Sequence, residues 1–219
     1  MTKIHKNRIT MKKNLETRNI TTEIRSVDNE SRKISGLAIP AESRSELLYG
    51  EFYEVISRDA LTEELINNND IKLYLNHDPS QGTFARSKYG EGSLRLFVTD
   101  RGIEFETELP KTAFGDALLE GIRRGDFDAL SFAFAPEEDE WEDNGDGTYN
   151  RTIRSIGFLD EISLLSCAPA YEQTNVKLRS LEDYKEQRNK EKAEHDKAIL
   201  ESLNAKLKEI EDIQNEYKL

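Results

Sequence analysis

Between Thr22 and Tyr171 apolar side chains fall on alternate positions in short runs, separated by glycine, proline or acidic turns. A period of two puts one set of side chains on each face of an extended strand, so this stretch is committed to sheet rather than to a helical bundle. "IKLYLNHDPS" sets Ile71, Leu73 and Leu75 against Lys72, Tyr74 and Asn76 and stops at Asp78-Pro79, which leaves His77 where strand becomes loop. "TFARSKY", "SLRLFVT" and "IEFETELP" follow with turns at "GEG" and "DRG", the pattern of a β-meander. "RKISGLAIPAE" reads as a strand broken by its glycine, and "EWEDNGDGTYNRTI" as a hairpin turning at Asn144 to Gly147, its acids solvated rather than spaced as a calcium loop.

Two segments carry helical spacing instead. In "FYEVISRDALTEELINNND" a strand gives way to a helix with Ser57 as N-cap and Ala60, Leu61, Leu65 and Ile66 on one face. "KTAFGDALLEGIRRGD" begins on a capping Thr112, carries Phe114, Leu118, Leu119 and Ile122 as its apolar stripe and stops at Gly125.

The flanks differ from this middle. Lys3, Lys6, Arg8, Lys12, Lys13 and Arg18 face a single acid, Glu16, so residues 1–21 read as a basic flexible arm. Residues 22–176 hold the core. Residues 177–219 read as a charged amphipathic helix, because Leu200, Leu203, Leu207, Ile210 and Tyr217 recur at helical spacing in a tail without glycine or proline.

With a net charge of -12, the 219-residue chain repels nucleic acid and acidic lipid and suits a peptide or basic partner better. Its mean hydropathy of -0.73 places part of the chain in solvated tails. Cys167 is the sole cysteine, which excludes an internal disulfide or cysteine-rich zinc site and is expected to be a small buried residue. No run is long enough to span a membrane and no secretory leader is evident, so the expectation is a soluble, intracellular protein that needs no cofactor.

Three polar positions stand out. "DALSFAFAPEE" alternates Leu130, Phe132 and Phe134 with Ser131, Ala133 and Ala135, which puts Ser131 on an uncrowded face directly after a helix. His77 ends another strand. Asp160 and Glu161 lie inside the apolar "GFLDEISLLS", where a carboxylate is costly unless paired. Parity puts Glu161 with Ser163 on the more polar face, so Glu161 is the better candidate to border a cleft and Asp160 the alternative. A serine nucleophile needs a base for its proton and a third group to orient that base, and these residue types supply all three. His5 and His195 lie in the flanks, where nothing suggests a rigid site.

Taken in order, "SGLAIP", "YLNHDPS", "DRGIEFETELPKTAFGDALLEGIRRGDFDALSFAF" and "RTIRSIGFLDEISLLSCAPAY" resemble the tailed-phage prohead (head maturation) serine proteases, relatives of the herpesvirus assemblins. The resemblance runs from about Ile34 to Tyr171 and implies an α+β fold: a mostly antiparallel, assemblin-like β-barrel surrounded by helices, here with a long C-terminal helix. It implies Ser131 as nucleophile, His77 as general base and Glu161 (alternatively Asp160) as orienting acid, with Ile162, Ser163, Pro169, Ala170 and Tyr171 completing the last motif. Ala133 stands where relatives often carry glycine, and Ala85-Arg86 where Gly-Arg is common.

The implied activity is an endopeptidase acting inside the procapsid in the host cytoplasm on capsid or scaffolding protein, and on itself. Self-association is a further expectation for the terminal helix. The competing reading is a catalytically silent capsid-assembly or scaffolding module working through that helix.

Overall fold

A computed structural model of the chain describes residues 15–22, 24–26, 31–166 and 179–216. His5, Cys167, Pro169, Ala170 and Tyr171 lie outside the described residues. In chain order the elements are β1 (Glu16–Thr21), β2 (Arg25–Ser26), β3 (Lys33–Pro40), β4 (Phe52–Ile56), α1 (Glu63–Asn67), β5 (Asp70–Leu75), β6 (Ala85–Lys88), β7 (Glu91–Gly92), β8 (Leu94–Thr99), β9 (Gly102–Glu108), α2 (Ala113–Arg124), β10 (Ala129–Asp143), β11 (Tyr149–Leu165) and α3 (Arg179–Glu216).

The strands form two sheets. One runs β1-β10-β11-β5-β6-β7 with β4 also on β11, and the other runs β2-β3-β9-β8. The α+β class holds and most pairings are antiparallel, but among the described residues neither sheet closes on itself, so the expected barrel is not formed by the ladders. The expected meander also divides: β6 pairs with β5 in the first sheet, while β8 and β9 form a hairpin in the second.

β10 and β11 organise the first sheet. They are long enough to serve two sets of partners, because β11 pairs in parallel with β4 over Tyr149–Ile153 and with β5 over Glu161–Leu164. Their own hairpin shifts register after Ala133, and these bulges bend the pair. Ile34, Ile39, Phe105, Phe132, Phe134, Ile71 and Leu73 share one apolar core.

Helix ends obey capping chemistry, with one change from expectation. The Thr112 hydroxyl accepts from the Gly115 amide at 3.1 Å, and Gly125 closes α2 with φ of 79°, a left-handed conformation that glycine adopts without steric cost. Ser57, expected to cap the first helix, instead precedes a single 3-10 turn without using its side chain. Thr62 caps α1, accepting from Leu65 at 3.0 Å. Phe114 leaves the predicted buried stripe and stacks on Phe84 while remaining 40% exposed.

Residues 1–14 of the expected basic arm lie outside the described residues. Glu16–Thr21 is a strand on β10, with Glu16 and Arg18 buried. α3 forms a compact unit of its own, with Ile199, Leu200 and Leu203 exposed. The Leu207 and Ile210 side chains and Tyr217 lie outside the described residues. No helix among the described residues is long and apolar enough to cross a membrane.

Candidate active site

The "NHDPS" segment is a tight turn held by hydrogen bonds from Asn76, His77 and Asp78. Asn76 and His77 both have positive φ, 51° and 58°, and the Asp78 amide closes the turn on the Leu75 carbonyl at 3.0 Å. Asparagine and histidine are enriched several-fold in this left-handed region, which other side chains rarely enter. Asn76 fastens the turn to the end of β11: its carbonyl oxygen accepts from the Ser166 amide at 3.0 Å. Asp78 accepts from the Ser80 amide at 2.9 Å and starts the next turn. The chain therefore leaves β5, pivots through two residues of positive φ and presents the His77 ring just past the end of that strand.

Glu161 receives that ring. His77 Nδ1 contacts Glu161 Oε1, with the histidine side chain 30% exposed and the carboxylate 10% exposed. Asp160, on the other face of β11, is held by Lys72 Nζ at 3.1 Å instead. Alternation along β11 separates the two adjacent acids. Ser163, two residues beyond Glu161 and on its face, accepts from the His77 amide at 3.3 Å and makes a long contact of 3.5 Å with Glu161 Oε2. The histidine is thus gripped at its ring and at its backbone by the same strand.

Ser131 stands directly across from Ser163 in the β10–β11 ladder, and Ala133 across from Glu161. Cross-strand partners project to one face, so the three polar groups of β10 and β11 and the histidine gather on that side of the sheet. Ser131 and Ala133 place small side chains on that face, and both are buried. The Ser131 hydroxyl is fully buried and gives its hydrogen bond to the Arg18 carbonyl of β1 at 3.0 Å; none joins it to the His77 ring.

The opposite face of β1 carries a buried ionic network. Arg18 grips Glu54 through Nε and Nη2 at 2.7 and 2.8 Å and reaches Glu16 at 2.6 Å. Arg151 grips Glu16 at 2.6 and 3.0 Å, Glu54 at 2.9 Å and Asp139 at 2.6 Å. Burial alone would push the Glu16 carboxyl up, but the hydrogen bond and charge of Arg151, joined by Arg18, hold it below the usual range. Burial likewise opposes the charge on Arg151, yet Glu16, Glu54 and Asp139 raise its pKa.

The family model for the caudovirus prohead serine proteases matches residues 20–187, which spans the serine, histidine and acid positions together. The chain belongs to the caudovirus prohead serine protease family. A solved structure, the bacteriophage T4 capsid assembly protease gp21, is similar at 13% identity with a TM-score of 0.40, over 69% of this chain and 94% of that one. A comparison with curated proteins returned no match.

Within this prohead protease the structure joins His77 to Glu161 and sets Ser131 in the neighbouring register, while Asp160 faces away and His195 is exposed on α3. Sequence reasoning missed the pairing of β1 alongside Ser131 and the grip of Ser163 on the histidine turn. Glu16–Thr21 holds a single apolar residue, Ile20, so hydrophobic alternation offered no signal for β1.

Proposed function

We propose that this chain is a serine endopeptidase of the procapsid, with Ser131 as nucleophile, His77 as general base and Glu161 as the acid that orients it. The observation that carries the reading is the Nδ1 contact between His77 and Glu161, which leaves Nε2 as the ring nitrogen to take a proton. Glu161 fixes the tautomer and stabilises the imidazolium once it forms.

In the reaction Ser131 Oγ attacks the scissile carbonyl carbon as its proton passes to His77. The carbon–nitrogen bond breaks, the amine leaves with that proton, and an acyl-enzyme remains for water to hydrolyse. The hydroxyl must first turn away from the Arg18 carbonyl. The proposed substrates are the capsid or scaffolding protein and the enzyme's own flanks, cut inside the shell in the host cell.

Co-expression with the matching capsid protein, followed by mass spectrometry of the products, tests this. Cleavage is expected from the natural chain and none from Ser131→Ala or His77→Ala. Undiminished processing by both variants overturns the assignment.

A further inference from the structure

Ser131 is completely buried, although its proposed role requires a peptide carbonyl to reach it, and part of its cover is β1. β1 lies antiparallel along β10, from Glu16 opposite Phe134 to Thr21 opposite Ala129. Asn19 stands opposite Ser131, and the Arg18 carbonyl receives the hydroxyl's hydrogen bond at 3.0 Å. The Arg18–Asn19 peptide is therefore the one laid against the nucleophile. A serine hydroxyl has one proton to donate, and a hydroxyl spending it on a carbonyl oxygen is not giving it to an imidazole.

We propose that β1 is a resident blocking strand. It fills the strip along Ala129–Phe134 that an extended peptide must occupy to bring its carbonyl carbon to Ser131, and substrate enters when β1 leaves. This rests on the reading of Ser131 as nucleophile.

Three features suit β1 to that exchange. Among the described residues its main-chain ladder runs to β10 alone, and a cavity of about 500 Å³ is lined by Arg18–Thr22 together with Ser43, Arg44, Ser45 and Glu46. Its departure removes one carboxylate and one guanidinium from the buried network, so Arg151 keeps Glu54 and Asp139 and the charge balance left behind is unchanged. Finally, main-chain pairing at a strand edge does not depend on side-chain identity, so an incoming peptide can remake the ladder that β1 gives up.

The test uses the full chain. The Thr22 amide donates to the Asp128 carbonyl at 3.0 Å, which makes the adjacent Thr21–Ala129 partners a non-hydrogen-bonded pair, with side chains close enough for a disulfide. In the Thr21→Cys/Ala129→Cys chain, the oxidised form is expected to cut capsid protein at least about 100-fold more slowly than the same chain after dithiothreitol, because activity follows the open fraction. Equal rates in the two forms overturn the proposal and leave the peptidase reading standing.

Hydrogen exchange on the unmodified chain gives a second measurement that needs no catalysis. The amides of Glu16–Thr21 are expected to exchange at least about 100-fold faster than those of Glu161–Leu164, since β1 opens without global unfolding. Equal protection makes β1 an integral strand and overturns the proposal whatever the enzyme cuts. Rapid exchange of β1, with no cleavage by the unmodified chain or by either redox form, means that the peptidase reading has failed and the blocked site falls with it.

Discussion

His77 and Glu161 are separated by 84 positions in the chain, yet their side chains meet through Nδ1 and Oε1. The turn after β5 and the last part of β11 bring them together, because β5 and β11 pair in parallel up to Leu75 and Leu164. This contact occupies Nδ1 of the ring, and it separates the two acids of "LDE" by partner, since Glu161 meets His77 while Asp160 meets Lys72.

Glu161→Gln is expected to lower kcat by about 10²- to 10⁴-fold with the fold retained, as loss of a charged orienting group does in triads. Asp160→Asn loses only the partly exposed pair with Lys72, worth less than about 1 kcal/mol, and leaves the rate nearly unchanged. Cleavage rates on capsid protein, with circular dichroism to verify folding, distinguish the two. A larger loss from Asp160→Asn would reverse the assignment.

Ser131→Ala and His77→Ala should each cost about 10³-fold or more, and the double variant should be no slower than either single one, because nucleophile and base act as a unit. Initial rates measured on one capsid substrate supply the comparison. Multiplicative losses would show that the two residues act separately.

Stability at acid pH should depend on Glu16. Its carboxyl is held below the ordinary value of 4.5 in the folded chain, so the stability it contributes is present above about pH 4.5 and drains away as pH falls through the lowered folded value. Urea midpoints taken downward from pH 6 should fall in this window, and Glu16→Gln should flatten that fall. An unchanged slope in the variant would place the acid sensitivity elsewhere.

Arg151→Met should destabilise the fold by about 3 to 5 kcal/mol, since it strips Asp139 of its guanidinium and leaves Glu16 and Glu54 to share Arg18 alone. Arg154→Met breaks an exposed pair with Glu140 three positions further along β11 and should cost less than about 1 kcal/mol. Parallel urea denaturation of the two variants measures the contrast.

Local pattern made much of this molecule legible. Alternation in "IKLYL" put Ile71, Leu73 and Leu75 into the core, and "DNGDGT" turned the long hairpin, because side-chain direction in a strand and backbone freedom in a turn are set within a few residues. Thr112 and Gly125 bounded α2 for the same reason. What was illegible concerned charge. Glu16 and Arg18 read as solvated because burying a charge is costly, and only partners at Glu54 and Arg151, far along the chain, make it tolerable.

The sequence by itself determined most of the strands after β1, the α2 caps, the hairpin and the residue types able to perform acyl transfer, because each is a short-range consequence of geometry and propensity. Only the tertiary structure decided that β11 turns Glu161 toward His77 and Asp160 toward Lys72, that the sheets stay open among the described residues, and that β1 pairs with β10 beside Ser131. Those outcomes depend on pairing between segments dozens of residues apart. Strand register and the energetics of buried charge select that pairing, and neither is settled until the whole chain has packed.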